Sequence, residues 1–135
     1  MRRPIVIIIF LLLTLLASLA LVFRTTIFLG RAAGSSSSVA YGNSYLFSSP
    51  LQAKADGKEQ IRVTVFLLDG RGLGVPNQTV SLTSSPKVSI TSVQTTTDDT
   101  GKAVFDLSSN TALKATITAS NNQQNLPQTV KVVFY

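Results

Sequence analysis

Directly after Met1-Arg2-Arg3-Pro4, nineteen consecutive residues, Ile5 to Phe23, are apolar or hydroxyl-bearing, and no comparable run recurs downstream. A helix of that length rises about 30 Å, the thickness of a bilayer's hydrocarbon core. The run predicts one N-terminal transmembrane helix within residues 1–29, anchored by Ile5, Phe10, Leu16, Leu21 and Phe23. Everything after it is then displayed on one side of a membrane.

A cleaved signal peptide is the competing reading. Ser18-Leu19-Ala20 is a small-x-small site behind an apolar stretch at Ile5–Leu16. Against cleavage there, Leu21-Val22-Phe23 continue the run with no polar break, and the whole exceeds the roughly 7–15 residues of a signal core. An uncleaved signal-anchor fits better. Orientation is less marked, because Arg2 and Arg3 flank one side and Arg24 and Arg31 the other. The Ser/Thr-rich, cysteine-free remainder favours the extracytoplasmic side.

The formal net charge of +6 would suggest a nucleic-acid or phospholipid partner if it were concentrated. It is not. Arg2, Arg3, Arg24 and Arg31 supply four of those charges, and from Pro50 onward eight Lys/Arg face six Asp/Glu. Lys54, Lys58, Arg62, Arg71, Lys87, Lys102, Lys114 and Lys131 are scattered, whereas phosphate binding needs a stripe of charge. Nucleic acid is excluded as a partner.

Residues 30–49 change character. Gly34-Ser35-Ser36-Ser37-Ser38 predicts a flexible tether, with Tyr41, Tyr45 and Phe47 as aromatic residues in a polar stretch. From residue 50 to 135 the apolar period is two. Ile61, Val63, Val65 and Leu67 alternate along one segment; Val80 and Leu82, Ala103, Phe105 and Leu107, Leu113, Ala115, Ile117 and Ala119, and Val130, Val132 and Phe134 follow in others. Shorter strands are expected near Val88–Ile90 and Val93–Thr97. Turn formers separate them: Ala55-Asp56-Gly57, Asp69-Gly70-Arg71-Gly72, Asp98-Asp99-Thr100-Gly101, Ser108-Ser109-Asn110 and Asn121-Asn122. About seven strands at this spacing predict an all-β antiparallel sandwich.

These residues resemble a known family. Ala55-Asp56-Gly57, Ile61-Arg62-Val63-Thr64-Val65 and Asp69-x-x-Gly72-x-Gly74-Val75-Pro76-x-x-x-Val80 look like the opening of a bacterial Ig-like domain of group 1, the repeat of the invasin/intimin adhesins. Thr96-Thr97-Asp98-x-x-Gly101-x-Ala103-x-Phe105-x-Leu107-x-Ser109 and Ala115-Thr116-Ile117-Thr118-Ala119 agree with its second half. The resemblance implies an extracellular Ig-like sandwich, often repeated as a stalk behind a separate adhesive tip. This chain shows one copy and no recognisable tip.

The motif residues also have a direct physical reading. Gly70, Gly72 and Gly74 permit a tight connection with positive φ, and Pro76 marks a position that needs no ladder N–H. Asp98 or Asp99 can cap the turn that Gly101 completes. The functional alternative is a calcium site drawn from Asp56, Asp69, Asp98 and Asp99, since hard cations take oxygen ligands, but the spacing matches no loop motif.

Catalysis has little to work with. Histidine and cysteine are lacking and Glu59 is the sole glutamate, which removes Ser-His-Asp and thiol chemistry and the usual zinc sites. No cofactor is indicated. The expected function is therefore non-catalytic: a membrane-anchored extracytoplasmic module with a protein or glycan partner. A secreted surface subunit and a cation-binding sensor are the alternatives. Phe66, Leu68 and Leu73, if exposed, are the candidate contact residues.

Overall fold

In a computed structural model of the protein, residues 11–20 and 38–135 are described. Residues 11–20 form a helix with every side chain exposed. Among the described residues no helix is long and apolar enough to cross a membrane. Of the five anchor positions only Leu16 is described; Ile5, Phe10, Leu21 and Phe23 lie outside the described residues.

Residues 38–135 build eight strands: β1 (Tyr45–Ser49), β2 (Gln52–Ala53), β3 (Ile61–Phe66), β4 (Val80–Ser85), β5 (Ser89–Gln94), β6 (Lys102–Ser108), β7 (Leu113–Asn121) and β8 (Gln124–Phe134). They form two four-stranded sheets, ordered β1-β3-β6-β5 and β2-β8-β7-β4. Every pairing is antiparallel except that of β2 with β8. The expected Ig-like sandwich is thus present, with eight strands in place of about seven.

The alternating pattern is what makes the core. Ile61, Val63 and Val65 of β3, Ala103, Phe105 and Leu107 of β6, Ala115, Ile117 and Ala119 of β7, and Val132 and Phe134 of β8 are all buried between the sheets. Fully burying one of the larger of these side chains is worth about 1.5–3 kcal/mol, which offsets the entropy of ordering the strands.

Three details differ from the sequence reading. The last five residues of the expected tether are β1, with Leu46 and Ser48 turned inward and Tyr45 and Phe47 outward. The two short strands expected near Val88–Ile90 and Val93–Thr97 meet in one strand, β5, which ends at Gln94 and whose register shifts between Ser92 and Gln94, while Thr96 makes an isolated bridge to Thr79. Val93 is the residue left without a partner at that shift and is exposed, and the alternation changes phase after it. The Asn121-Asn122 turn is the two-residue loop Asn122-Gln123, with φ of 47° and 66°. Positive φ at both positions is the turn geometry that follows the twist of a hairpin.

The register assigns each loop to one of two ends. Residues 38–44, 67–79, 97–101 and 121–124 gather at the near end, where Ala40 N–H donates to Leu68 O (2.8 Å) and the Asn121 amide to Thr79 O (2.8 Å). The starts of β3 and β7, the end of β6 and Tyr135 gather at the far end, where Gly57 N–H donates to Ser109 O (2.9 Å) and Ala55 N–H to Tyr135 O (2.8 Å).

Candidate functional site

Of the turn residues in the motif, Asp69, Gly72, Gly74, Pro76, Asp98 and Gly101 come together at the near end, and Asp56 and Gly57 sit at the far end. The near end holds two turns of the same design. In the first, Gly72 N–H donates to Asp69 O (3.0 Å) and Asp69 N–H to Leu73 O (2.8 Å). In the second, Gly101 N–H donates to Asp98 O (2.8 Å) and Asp98 N–H to Lys102 O (3.1 Å). Gly72 and Gly101 have φ of 79° and 77°, the left-handed residue that ends such a turn. Of the three glycines expected to need positive φ, only Gly72 has it.

The carboxylates repeat the parallel. Asp69 Oδ1 accepts the N–H groups of Arg71 (2.8 Å) and Leu73 (3.0 Å). Asp98 Oδ1 accepts those of Thr100 (2.9 Å) and Lys102 (3.1 Å), and also the Thr100 hydroxyl (2.6 Å). The Leu73 N–H, then Arg71, hold Asp69 below the ordinary carboxylate pKa. The Thr100 hydroxyl, then the Lys102 N–H, lower Asp98 from 3.8 to about 2. Asp56 is lowered in turn by the N–H groups of Glu59 and Lys58. These oxygens are already committed to their own loops, and among the described residues no group of three His, Cys, Asp or Glu is placed to hold a metal ion.

The two turns are locked together through glycine. A Cβ on Gly74 would collide with the Thr100 carbonyl, and one on Gly101 with Leu67 O. Leu67 N–H donates to Gly101 O (2.8 Å) and Val75 N–H to Leu67 O (2.9 Å), so three segments share one backbone contact. Thr97 completes it: its buried hydroxyl donates to Val75 O (2.7 Å) and accepts from Gln78 N–H (2.9 Å). The motif carries Thr97 beside Thr96, and nothing in the sequence tells which of the two is buried. Pro76 lies in this connection just before β4, half-buried, with no ladder N–H to lose.

The second candidate is apolar surface. Of the three residues named as contact candidates if exposed, Phe66 and Leu68 are half-buried and Leu73, in the Asp69 turn, is 55% exposed. Phe66 is covered by residues the tether reading set aside. Its ring stacks on Tyr45 at 5.3 Å between centroids and on Phe47 at 6.3 Å, across β1 and β3. Tyr45 and Phe47 remain 40% and 46% exposed, so three aromatic rings form a cluster on the outer face of the first sheet. The Arg62–Asp106 bidentate pair (2.8 and 2.9 Å) lies further along the same face and holds Asp106 below its ordinary pKa.

The same fold occurs in solved adhesin structures. Invasin, described as a bacterial integrin-binding protein, superposes with a TM-score of 0.66 at 24% identity over 73% of this chain and 20% of its own. The Yersinia pseudotuberculosis adhesin InvE gives 0.64 at 21% over 76% of this chain and 29% of its own. The D00-D0 domain of intimin gives 0.60 at 20% over 77% of this chain and 51% of its own. The chain thus spans about half or less of these structures. No curated protein matches it. The profile of the bacterial Ig-like domain (group 1) matches residues 43–135, taking in β1, both interlocked turns and the last strand. With its motif residues placed at those turns, the chain belongs to the bacterial Ig-like domain (group 1) family.

Proposed function

We propose that the chain is a membrane-anchored, extracytoplasmic and non-catalytic Ig-like module that presents a protein-binding surface. The apolar run from Ile5 to Phe23 supports the anchor, by its length and its unbroken character. The cargo's kinship is with modules of surface adhesins, and invasin among its structural neighbours is described as integrin-binding.

The observation that carries a binding role is the exposed cluster of Tyr45, Phe47 and Phe66. Asp69, Gly74, Asp98 and Gly101 are occupied in holding the near end together. These rings, by contrast, sit outside the core. Stacked aromatics on an outer sheet face are the residue types that dominate protein interfaces, and desolvating them is their main energetic reward.

Two measurements test the reading. Crosslinking from intact membranes is expected to capture a protein partner with the native chain and to lose it with Y45S/F47S, while the variant's thermal melt stays cooperative. Undiminished capture by that variant removes the cluster from the interface. Intact mass and N-terminal sequencing of the native protein are expected to show an unprocessed chain; a start near Leu21 would replace the anchored module with a secreted one.

A further inference from the structure

We infer that the open side of the sandwich, between β4 and β5, takes an extended peptide segment of a partner protein, which adds to β4 as a further strand. This goes beyond the display role. β4 and β5 are the edge strands on the side away from β1 and β2, so the surface is separate from the cluster of Tyr45, Phe47 and Phe66.

The two strands begin together and then part. At the near end Val80 N–H donates to Thr95 O (2.8 Å), Thr97 N–H donates to Gln78 O (2.9 Å), and Thr79 bridges Thr96. Past that bridge β4 stays with β7 in one sheet and β5 with β6 in the other, and among the described residues they make no pairing with each other. The chain rejoins them at the far end through Pro86-Lys87-Val88, where Val88 N–H donates to the Ser84 hydroxyl (3.0 Å). A slot is left between them, with hollows of ≈ 490 and ≈ 380 Å³. Leu82 and Ile90 line both hollows and are only half-buried, and the buried Phe105 ring lines the second.

Backbone direction selects β4 as the strand that is extended. Successive residues of a strand turn their N–H and C=O to opposite edges, so residues two apart share an edge. Val80 directs its N–H to Thr95, away from β7. Leu82 and Ser84 therefore aim theirs at the slot, where no backbone partner meets them among the described residues. Nothing in β4 discourages a newcomer: its register with β7 is unbroken from Val80 to Ser85, and it carries no charge, proline or bulge. Across the slot, β5 is interrupted at Val93 and offers side chains, not a regular ladder.

Charge and shape specify the occupant. The slot is walled by the hydroxyls of Ser81, Thr83, Ser89 and Ser92, with no acidic residue and one cation, Lys87. Lys87 is exposed and in no ion pair among the described residues. A segment running antiparallel to β4 has its leading end beside Lys87, where a carboxylate is favoured, and no further charge along it. The residue opposite Leu82 exchanges both backbone bonds with it and shares its inward face. Small apolar side chains at that and alternate positions therefore reach Leu82 and Ile90, and the same residues donate their N–H groups to β4.

The probe is a short acetylated peptide, one Asp followed by alternating Val and Thr, labelled for fluorescence anisotropy and titrated into the full-length protein. Saturable binding is expected, with slowed amide exchange at Leu82 and Ser84. Methylating the Val nitrogens is expected to weaken binding about tenfold or more, and methylating the Thr nitrogens to leave it within about twofold, because only the first set faces β4. K87E is expected to weaken the Asp peptide about threefold and to favour a Lys counterpart by a similar factor, the modest effect of an exposed pair. Three results overturn the inference: no saturation up to about 1 mM peptide, binding without protection at Leu82 and Ser84, or equal loss from both methylation patterns. A concentration-dependent doubling of mass in sedimentation that the peptide reverses also overturns it, by giving the edge to a second copy of the chain. Y45S/F47S is expected to bind the peptide as the native chain does, so failure of the aromatic surface and failure of the slot are read separately. Loss of peptide binding in that variant would place the segment on the other face and overturn the slot.

Discussion

The Asp69 and Asp98 turns share the spacing Asp-x-x-Gly, the closing hydrogen bonds and a glycine with φ near 78°, at 79° and 77°. They differ in what surrounds that glycine. Gly72 has open space where a Cβ would go, whereas Gly101 has Leu67 O and Gly74. The first glycine serves only its own turn. The second also serves the joint between two turns some thirty residues apart in sequence. A motif position can therefore be conformational in one copy and a packing position in the next, with no local difference to show it.

Alanine at each glycine is the strongest way to break this comparison. G101A combines left-handed strain with a clash against backbone that cannot swing aside, and is expected to cost about 3–5 kcal/mol. G74A has the clash without the positive φ and is expected to cost about 2–3 kcal/mol. G72A has the strain alone, at about 1–2 kcal/mol. Urea unfolding of the three variants tests the ranking, and G72A matching G101A would show the joint to be slack. The pair G74A/G101A is expected to fall short of additivity by about 1 kcal/mol or more, because both substitutions open one contact.

Much of this end of the molecule was readable in the chain. The period-two runs at Ile61–Leu67 and Ala103–Leu107 became buried faces, because a strand with one wet side has no other way to place them. The Asp-x-x-Gly turns were equally plain, since their hydrogen bonds close within five residues. Other features depend on partners far away. Tyr41 reaches Asn121 across 80 positions, and nothing beside either residue announces it. Tyr45 and Phe47 read as loop aromatics because Ser48, an inward-facing hydroxyl, spoils the alternation of β1. Gly74 read as a turn glycine; its actual role is visible only once Thr100 is brought against it.

Protonation sharpens the comparison at the level of the carboxylates. Asp98 is lowered to about 2 and Asp69 is lowered as well, so both carboxylates stabilise the fold in their ionised form. A folded pKa below the unfolded value means that this stability is complete above about pH 4. It is lost as pH falls through the folded pKa, which for Asp98 is about 2. Thermal melts are therefore expected to drop between those limits, with a shallower drop in D98N. Carbon-detected NMR titration of the Asp98 carboxyl is expected to give a midpoint near 2, and a midpoint at the ordinary 3.8 would dissolve the assigned hydroxyl contact.

The smallest effect separates the partners that the two carboxylates do not share. Asp69 has the Arg71 guanidinium at 3.1 Å, and Asp98 has the Thr100 hydroxyl at 2.6 Å. The Arg71 side chain is 69% exposed, so water competes for its charge, and R71A is expected to cost no more than about 0.5 kcal/mol. T100V removes a hydrogen bond to an ionised acceptor and is expected to cost about 1 kcal/mol. Salt distinguishes them further: molar NaCl should erase the R71A difference, because an exposed pair is screened, and leave the T100V difference in place. If R71A proves the costlier change, Asp69 depends on its ion pair and not on the backbone N–H groups of Arg71 and Leu73. The two turns would then differ in their chemistry as well as in the space around their glycines.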